Sequence, residues 1–177
     1  TAPHIFVTTG ASEAIELALT ALLDPGDELL VPSPGYPLYT ALLSKLSAKG
    51  VAYQLDESNG WQPDVEDIAR LVTPRTKGLV IINPNNPTGA ITDAATLDKV
   101  IAVAKANKLL LLSDEIYDKL TLDGETLVSL AQRAGDHPVV TFGGVAKCYL
   151  GPGLRVGWGI VSGETGLISE YADAIGR

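Results

Sequence analysis

Short apolar runs alternate with longer amphipathic stretches along this 177-residue chain, and that alternation constrains its fold more than any other feature. The apolar runs include HIFVTT, DELLVPS, VAYQL, KGLVIINP, LLLLSDEI, PVVTFGG and RVGWGIVSG, and the stretches between them include SEAIELALTALL and DAATLDKVIAVAKANK. Short apolar strands separated by helices are typical of βα units on a mainly parallel sheet. We therefore predict an α/β fold and, because no repeat or linker interrupts the pattern, one domain spanning residues 1–177.

The charge and the cysteine content exclude several classes of protein. The formal net charge of −8 opposes binding to nucleic acid or to an anionic membrane surface, since both would repel the chain. A single cysteine, Cys148, leaves no internal disulfide framework and no multi-cysteine zinc site, and it fits a reducing cytoplasm. No apolar run approaches the roughly 20 residues of a membrane span, and the first residues do not resemble a signal peptide. We expect a cytoplasmic protein without a nucleic-acid, membrane or metal partner.

Polar and aromatic residues follow five of the apolar runs, at the points where the strands are predicted to end. In open α/β sheets, ligands bind beyond the carboxyl ends of the strands. The first such segment, Gly10-Ala11-Ser12, leads into a helix predicted to begin near Glu13. Free N–H groups and the helix dipole at such a terminus favour an anion, so the segment is a candidate phosphate cup. The alternative is that Ser12 only caps the helix.

Asp114 follows the apolar run LLLLS and is therefore a candidate buried acid. A buried carboxylate needs a partner, which is either local backbone or a proton on a ligand nitrogen. Tyr117, on the next turn, is placed to offer its hydroxyl to the same ligand, whereas Glu115 is expected to point elsewhere.

Two further strand ends carry candidate ligand-binding side chains. The segment NPNNPTG, residues 83–89, confines three asparagine amides in a rigid turn, although turn chemistry alone also explains Asn and Pro there. In PSPGYPLY, Tyr36 is a ring on which a flat ligand can stack, with ordinary core packing as the alternative. Tyr39 is expected to pack on the adjacent helical turn.

The segment GGVAKCYLGPGLRVGW places Lys147 and Arg155 among glycines and apolar residues. The small neighbours of Lys147 predict a poorly solvated ammonium group, and desolvation lowers the pKa of a lysine toward its neutral, nucleophilic form. A neutral lysine forms a Schiff base with an aldehyde. Arg155 is suited to bind a phosphate through two parallel N–H bonds. The alternative is that both are surface cations on a loop.

Five segments in this order, VTTGASEAI, PSPGYPLY, NPNNPTG, SDEIY and AKCYLGPGLRVGW, resemble the large domain of class I/II, fold-type I aminotransferases that depend on pyridoxal 5′-phosphate. The resemblance covers nearly the whole chain, and the wording PGYPLY and FGGVAK is similar to the branch that includes the alanine aminotransferases. It implies a three-layer αβα domain with a mostly parallel sheet. It also implies an enzyme of amino acid metabolism that transfers an amino group between an amino acid and a 2-oxo acid.

The resemblance implies roles for individual residues. Lys147 resembles the lysine that forms the Schiff base with the cofactor and carries protons during the reaction, and Asp114 resembles the carboxylate that keeps the pyridine nitrogen protonated. Asn86 and Tyr117 resemble the pair that binds the phenolic oxygen of the ring, and Tyr36 resembles the stacked aromatic residue. The implied phosphate cup consists of Gly10, Ala11, Ser12 and Arg155. The catalytic set is thus Lys147, Asp114 and Tyr117, and the bond between Asn86 and Pro87 is expected to be cis.

The resemblance further implies that the chain is a piece of a longer protein. The parts it lacks would be an N-terminal segment and a C-terminal small domain, which supplies the arginine for the substrate α-carboxylate. The longer protein is expected to form a homodimer, and this part alone is expected to turn over substrate weakly or not at all. Two alternatives stay open: a lyase or decarboxylase with the same cofactor and fold, and a non-catalytic domain that binds the cofactor for regulation.

Overall fold

The computed structural model describes residues 4–122, 124 and 127–176. Within these residues the chain forms one eight-stranded sheet with helices on both faces. The strands are β1 (Ile5–Thr8), β2 (Glu28–Ser33), β3 (Lys49–Asp56), β4 (Gln62–Pro63), β5 (Thr76–Ile82), β6 (Leu110–Asp114), β7 (Val139–Gly144) and β8 (Gly157–Ser162). The helices are α1 (Ala11–Leu22), α2 (Pro37–Lys45), α3 (Val65–Leu71), α4 (Ala94–Asn107), α5 (Leu130–Ala134) and α6 (Thr165–Ile175).

The strands lie in the order β1-β8-β7-β6-β5-β2-β3-β4. The five strands from β7 to β3 are parallel to one another. Strand β8 is antiparallel to both β7 and β1, and β4 pairs antiparallel with the end of β3. The predicted α/β fold with a mostly parallel sheet is confirmed. The sequence pattern does not predict β4 or α5, because two and five residues are too few to display a period.

Two apolar cores, one on each face of the sheet, explain the layered arrangement. Along β5, Val80 and Ile82 pack with helices α1, α2 and α6, whereas Leu79 and Ile81 pack with α3, α4 and α5. Successive side chains of a strand point to opposite faces, so a strand that is apolar on both faces needs a helical layer on each. This produces the three-layer αβα architecture that the family resemblance implies.

Acidic caps fix the starts of two of these helices. The side chain of Asp93 accepts a hydrogen bond of 2.7 Å from the Thr96 N–H at the start of α4, and Asp64 accepts one of 3.0 Å from the Asp67 N–H at the start of α3. Helix α4 ends where Lys108 adopts the left-handed conformation, with φ of 55°. Such caps satisfy N–H groups that a helix cannot satisfy internally, and they account for the boundaries of the elements.

The carboxyl ends of β1, β2, β5, β6 and β7 lie at one edge of the sheet, which is the edge predicted to carry the chemistry. Because β8 is antiparallel, its amino end reaches this same edge, where Gly157 pairs with Thr8 of β1 and with Gly144 of β7. The residues just before β8 therefore join the five strand ends.

In the part of the chain that the structure describes, no helix is both long and apolar enough to cross a membrane. Nor do the described residues include a group of three or more His, Cys, Asp or Glu side chains arranged to hold a metal ion.

Candidate functional site

A cleft of about 240 Å³ lies at the carboxyl edge of the sheet. Besides a few apolar and small residues, its lining comprises all nine side chains or backbone positions singled out from the sequence: Gly10, Ala11, Ser12, Tyr36, Asn86, Asp114, Tyr117, Lys147 and Arg155. They come from the ends of β1, β2, β5, β6 and β7 and from the segment before β8. The fold thus brings together residues that are up to 145 positions apart in the sequence.

The turn after β1 is shaped by its glycine and by local hydrogen bonds. Gly10 has φ of 86°, a left-handed value that an L side chain rarely adopts. The hydroxyl of Thr8 donates to the Gly10 carbonyl over 2.9 Å, and the Thr9 N–H donates to the Glu13 carboxylate over 2.6 Å. Helix α1 begins at Ala11, so the predicted start near Glu13 is wrong by two residues. Ser12 lies inside the first turn and Gly10 is the N-cap, which excludes Ser12 as the cap.

Arg155 lies against this turn. Its guanidinium donates to the Thr9 carbonyl over 3.2 Å and to the Pro152 carbonyl over 3.0 Å. A Cβ added to Gly10 would meet the Arg155 guanidinium, and a Cβ added to Gly157 would meet the backbone of the Gly10 turn. Both glycines are therefore needed for the close approach of Arg155 and β8 to the N-terminus of α1. A cation beside free helical N–H groups is a favourable place for a phosphate.

Asp114 ends β6 and is only 3% exposed. One carboxylate oxygen, Oδ2, accepts a hydrogen bond of 3.0 Å from the hydroxyl of Tyr39, and Oδ1 accepts one of 3.3 Å from the Ile116 N–H. Burial raises the pKa of Asp114 to about 6, and these two hydrogen bonds limit the rise. Asp114 thus accepts a hydrogen bond from the local backbone and also lines the cleft. The two hypotheses, a local backbone partner and a ligand partner, do not exclude each other.

Tyr39 is the site residue that the sequence does not reveal. It was expected only to pack beside Tyr36, and it is indeed 1% exposed, but its hydroxyl reaches Asp114 from 75 residues away. Burial and the negative charge of Asp114 raise its pKa well above the usual value, so the hydroxyl stays protonated and acts as a donor. The only sequence signal is the spacing from Tyr36, because residues three apart share one side of a helix.

The asparagine-rich turn after β5 divides its side chains between structure and cleft. Asn85 accepts hydrogen bonds from the backbone and the hydroxyl of Thr88, and Asn83 accepts one of 3.0 Å from the Thr92 N–H. Turn chemistry therefore accounts for these two residues. Asn86 instead lines the cleft, and its bond to Pro87 is cis, as expected from the resemblance.

Tyr36, Tyr117 and Lys147 complete the lining. Tyr36 is the N-cap residue of α2 and is 39% exposed, so its ring is open to a ligand instead of being packed in the core. Burial, followed by the charge of Asp114, raises the pKa of Tyr117, which favours a protonated phenol that can donate to a ligand oxygen. Glu115 points away from the cleft, where its carboxylate accepts hydrogen bonds from Ser113, Ser129 and the N–H of Leu130 at the start of α5.

Lys147 follows β7 by three residues and is exposed in this chain, with its Nζ 5.8 Å from the centroid of the Tyr117 ring. The prediction that small neighbours shield its ammonium group from water is therefore wrong. Glycine and alanine side chains are too small to cover a lysine, so the segment exposes Lys147 to the cleft and to solvent. What the structure retains from the prediction is an amine in the same cleft as a buried acid and as a helix N-terminus beside Arg155.

The three-layer fold with its mostly parallel sheet is that of the pyridoxal-phosphate-dependent transferases. The family model described as aminotransferase class I and II matches residues 1–175. The chain belongs to this family, whose members in general depend on pyridoxal 5′-phosphate.

Individual relatives agree with the family. The chain is 45% identical over 172 residues to an alanine aminotransferase of Mycobacterium tuberculosis, which covers 97% of this chain and 40% of the relative. It is 46% identical over 175 residues to the glutamate-pyruvate aminotransferase AlaA of Escherichia coli K12, covering 99% of this chain and 43% of the relative. The crystal structure of an aminotransferase from Escherichia coli matches with a TM-score of 0.96 at 43% identity, covering 99% and 43% of the two chains. The chain thus spans about two fifths of the length of these relatives.

Proposed function

We propose that residues 1–177 form the cofactor-binding large domain of an aminotransferase that transfers an amino group between an amino acid and a 2-oxo acid. The observation that carries the proposal is the common cleft, which unites an exposed amine, a buried carboxylate and a helix N-terminus beside an arginine. The sequence relatives, named as alanine and glutamate-pyruvate aminotransferases, support the same reaction class and an alanine-aminotransferase-like specificity.

The residues of the cleft fit pyridoxal 5′-phosphate in their chemistry. Its phosphate would be held by the N–H groups at the start of α1, in the segment Gly10-Ala11-Ser12, and by the Arg155 guanidinium. The glycine at position 10 supports this assignment, because its missing Cβ leaves the space that the guanidinium occupies. When bound, the cofactor supplies an electron sink for the carbanion chemistry of amino acids.

Asp114 would hold a proton on the ring nitrogen. Its pKa of about 6 means that most of the carboxyl is ionised at neutral pH, and a cationic partner in the same buried place would favour the ionised form further. Asn86 and Tyr117 would donate hydrogen bonds to the phenolic oxygen of the ring, and Tyr36 would stack on its face. Each of these residues binds or orients the ring and leaves the proton transfers to another group.

Lys147 is the group suited to the covalent and proton-transfer steps. Its primary amine would bind the aldehyde of the cofactor, and the same amine would accept and return a proton at the substrate Cα. The whole protein is proposed to be a cytoplasmic homodimer, with the reduced Cys148 in keeping with that compartment. The segment beyond the large domain would supply the group that binds the substrate α-carboxylate.

The test is to mix the protein with pyridoxal 5′-phosphate, reduce the mixture with borohydride, and locate the modified peptide by mass spectrometry. We expect a phosphopyridoxyl group on Lys147 in preference to the surface lysines Lys45, Lys99 and Lys105, because only Lys147 lies in the cleft with a phosphate cup. Label spread evenly over these lysines would contradict the proposed site. Product analysis with alanine and 2-oxoglutarate then separates amino transfer from decarboxylation or a purely regulatory role.

Gly10→Ala tests the phosphate cup against a matched control. The added Cβ is expected to displace the Arg155 guanidinium and to weaken the binding of pyridoxal 5′-phosphate by about tenfold or more, the effect of losing a charge-assisted hydrogen bond. Gly26→Ala places the same side chain at a nearly identical φ of 88°, but with nothing within 4 Å of the new atom.

Both variants are expected to lose stability, on the order of 1–2 kcal/mol, because both place an alanine at a positive φ. Gly10→Ala is expected to lose the more, because the ψ of 159° at position 10 is one that essentially only glycine adopts at this φ and the new Cβ meets Arg155. Only Gly10→Ala is expected to weaken binding, as measured by fluorescence titration with the cofactor. Equal affinities of the two variants would mean that Gly10 and Arg155 do not form the phosphate site.

A further inference from the structure

The hydrogen bond between Tyr39 and Asp114 joins two walls of the candidate cleft. Tyr36, whose ring is open to the cleft, is the N-cap residue of α2, and Tyr39 lies one turn further into the same helix. The Tyr39 N–H donates to the Tyr36 carbonyl over 3.3 Å, while its hydroxyl donates to Asp114 Oδ2 at the end of β6. Strand β5 separates β2, which leads into α2, from β6 in the sheet. Tyr39 therefore spans from one strand end to another, beneath the cleft.

The surroundings of Asp114 give this hydroxyl a specific task. Burial opposes ionisation of the carboxyl, and the neighbouring carboxylate of Glu115 opposes it too. The hydrogen bond from Tyr39 is the largest influence in the other direction, followed by the bond from the Ile116 N–H. Among the described residues, the phenols of Tyr117, Tyr36 and Tyr53 also lie around Asp114 and Tyr39, and burial keeps those of Tyr117 and Tyr53 protonated. Two cations, Lys147 and Arg155, line the same cleft as Asp114.

We propose that Tyr39 is a positioning residue for Asp114: its buried hydroxyl fixes the orientation of the carboxylate and favours its ionised form, so that Asp114 can hold a proton on the nitrogen of a bound heteroaromatic ring. The inference rests on the proposed function for the identity of that ring, but the coupling between Tyr39 and Asp114 is a property of the protein without it. A neutral carboxyl group at position 114 would lack the negative charge that stabilises a protonated ring nitrogen.

The matched pair of variants is Tyr39→Phe and Tyr53→Phe. Both tyrosines are 1% exposed, and each donates one hydrogen bond, Tyr39 to Asp114 and Tyr53 to the Val80 carbonyl over 2.8 Å. Each substitution removes one buried hydroxyl and leaves the ring in place. A general effect of losing a buried hydroxyl is therefore common to both, and an effect through Asp114 belongs to Tyr39→Phe alone.

The first measurement is the titration of the Asp114 carboxyl carbon by NMR in the cofactor-free protein labelled with ¹³C at aspartate Cγ, with the resonance assigned from Asp114→Asn. We expect Tyr39→Phe to shift the titration midpoint upward by about one pH unit, as the loss of a hydrogen bond to a charged group predicts. Tyr53→Phe is expected to leave the midpoint unchanged. Equal midpoints in Tyr39→Phe and the unaltered protein would overturn the inference.

A second variant keeps the hydroxyl of Tyr39 and changes only its strength as a donor, which provides a test if Tyr39→Phe does not fold. Incorporation of 3-fluorotyrosine at position 39 preserves the size of the ring and makes the hydroxyl a stronger donor, so the midpoint of Asp114 is expected to move downward. No shift with 3-fluorotyrosine would contradict the proposed coupling as directly as no shift with phenylalanine.

The second measurement uses pyridoxal 5′-phosphate labelled with ¹⁵N in the ring. In the loaded protein, Tyr39→Phe is expected to move the ring ¹⁵N resonance toward the value of unprotonated pyridine near neutral pH, and Tyr53→Phe to leave it unchanged. If borohydride labels Lys147 but the ¹⁵N resonance is the same in all three proteins, the positioning role fails while the proposed function stands. If the carboxyl titration shifts but Lys147 takes no label, the coupling stands and the proposed function fails.

Discussion

Replacing Lys147 with alanine is expected to lower amino-group transfer by at least about 10⁴-fold in the whole protein, because one side chain is proposed to provide both the covalent amine and the proton carrier. The substitution should leave stability within about 0.5 kcal/mol, since Lys147 is exposed and the substitution empties no core space. Activity is measured with a coupled assay for the 2-oxo acid product, and stability by thermal unfolding.

Lys99→Ala is the matched control for this prediction. Lys99 is likewise an exposed lysine, but it lies on α4, outside the cleft. Lys99→Ala is expected to keep full activity and to take the phosphopyridoxyl label on Lys147 as the unaltered protein does. A Lys147→Ala protein that retained a tenth of the activity, or that still gave a dominant phosphopyridoxyl peptide, would remove Lys147 from the proposed mechanism.

Asp114→Asn is expected to change how the stability of the cofactor-free protein depends on pH. The folded protein raises the pKa of Asp114 from 3.8 to about 6, so the folded state binds this proton more tightly than the unfolded state. Below pH 3.8, Asp114 is protonated in both states, so its raised pKa does not change the free energy of unfolding. That free energy falls as the pH rises from about 4 to 6, because the unfolded state releases the proton first. At pH 7.5 the loss amounts to about 3 kcal/mol, and the asparagine variant does not suffer it.

Urea unfolding of both proteins between pH 4 and pH 7.5 gives the free energy of unfolding at each pH. The effect is the difference between the two proteins in the slope of that free energy against pH. The variant also loses one of the two hydrogen bonds to Asp114, but that cost does not depend on pH. Asp98→Asn serves as a control of opposite sign, because the hydrogen bond from Arg133 lowers the pKa of Asp98 and makes its charge favourable at neutral pH. Parallel pH profiles for Asp114→Asn and the unaltered protein would show that Asp114 is not a strained buried acid.

The prediction for Asp114 describes a site held at a cost in stability. The buried carboxylate of Asp114 in the wall of the cleft is expected to destabilise the free protein at neutral pH, and a cationic ring nitrogen would relieve that cost on binding. The same carboxylate would therefore couple cofactor binding to stability, so the protein is expected to melt at a higher temperature when loaded than when free. The gain should be smaller in Asp114→Asn, even if its phosphate cup is intact.

Several site residues could be selected from the sequence because the parallel sheet gives their positions a common meaning. Asp114 and the turn containing Asn86 each follow a fully apolar run, and the carboxyl ends of parallel strands meet at one edge. Their meeting in one cleft follows from that rule, although their catalytic and binding roles remain predictions. Only the family resemblance distinguished Asn86 from Asn83 and Asn85; the composition of the turn could not, because that difference depends on which amide binds Thr88 or Thr92.

Arg155 shows a different limit of the sequence. It precedes its strand instead of following one, and it reaches the cleft because β8 runs antiparallel between β7 and β1. The apolar pattern of a strand does not indicate whether it runs parallel or antiparallel to its neighbours. The close approach of Arg155 to Gly10 depends in addition on Gly157, whose importance appears only when the backbone of β1 is beside it.

The sequence by itself determined the α/β class and the segments that carry chemistry, because the spacing of apolar residues and the residue types at strand ends are local properties of the chain; the three layers were expected from the family resemblance. The tertiary structure alone decided the partner of Asp114, the exposure of Lys147 and the direction of β8. These depend on contacts between residues far apart in sequence, such as the 75 positions that separate Tyr39 from Asp114, and burial and hydrogen bonding at that range arise only once the sheet and its helices have packed.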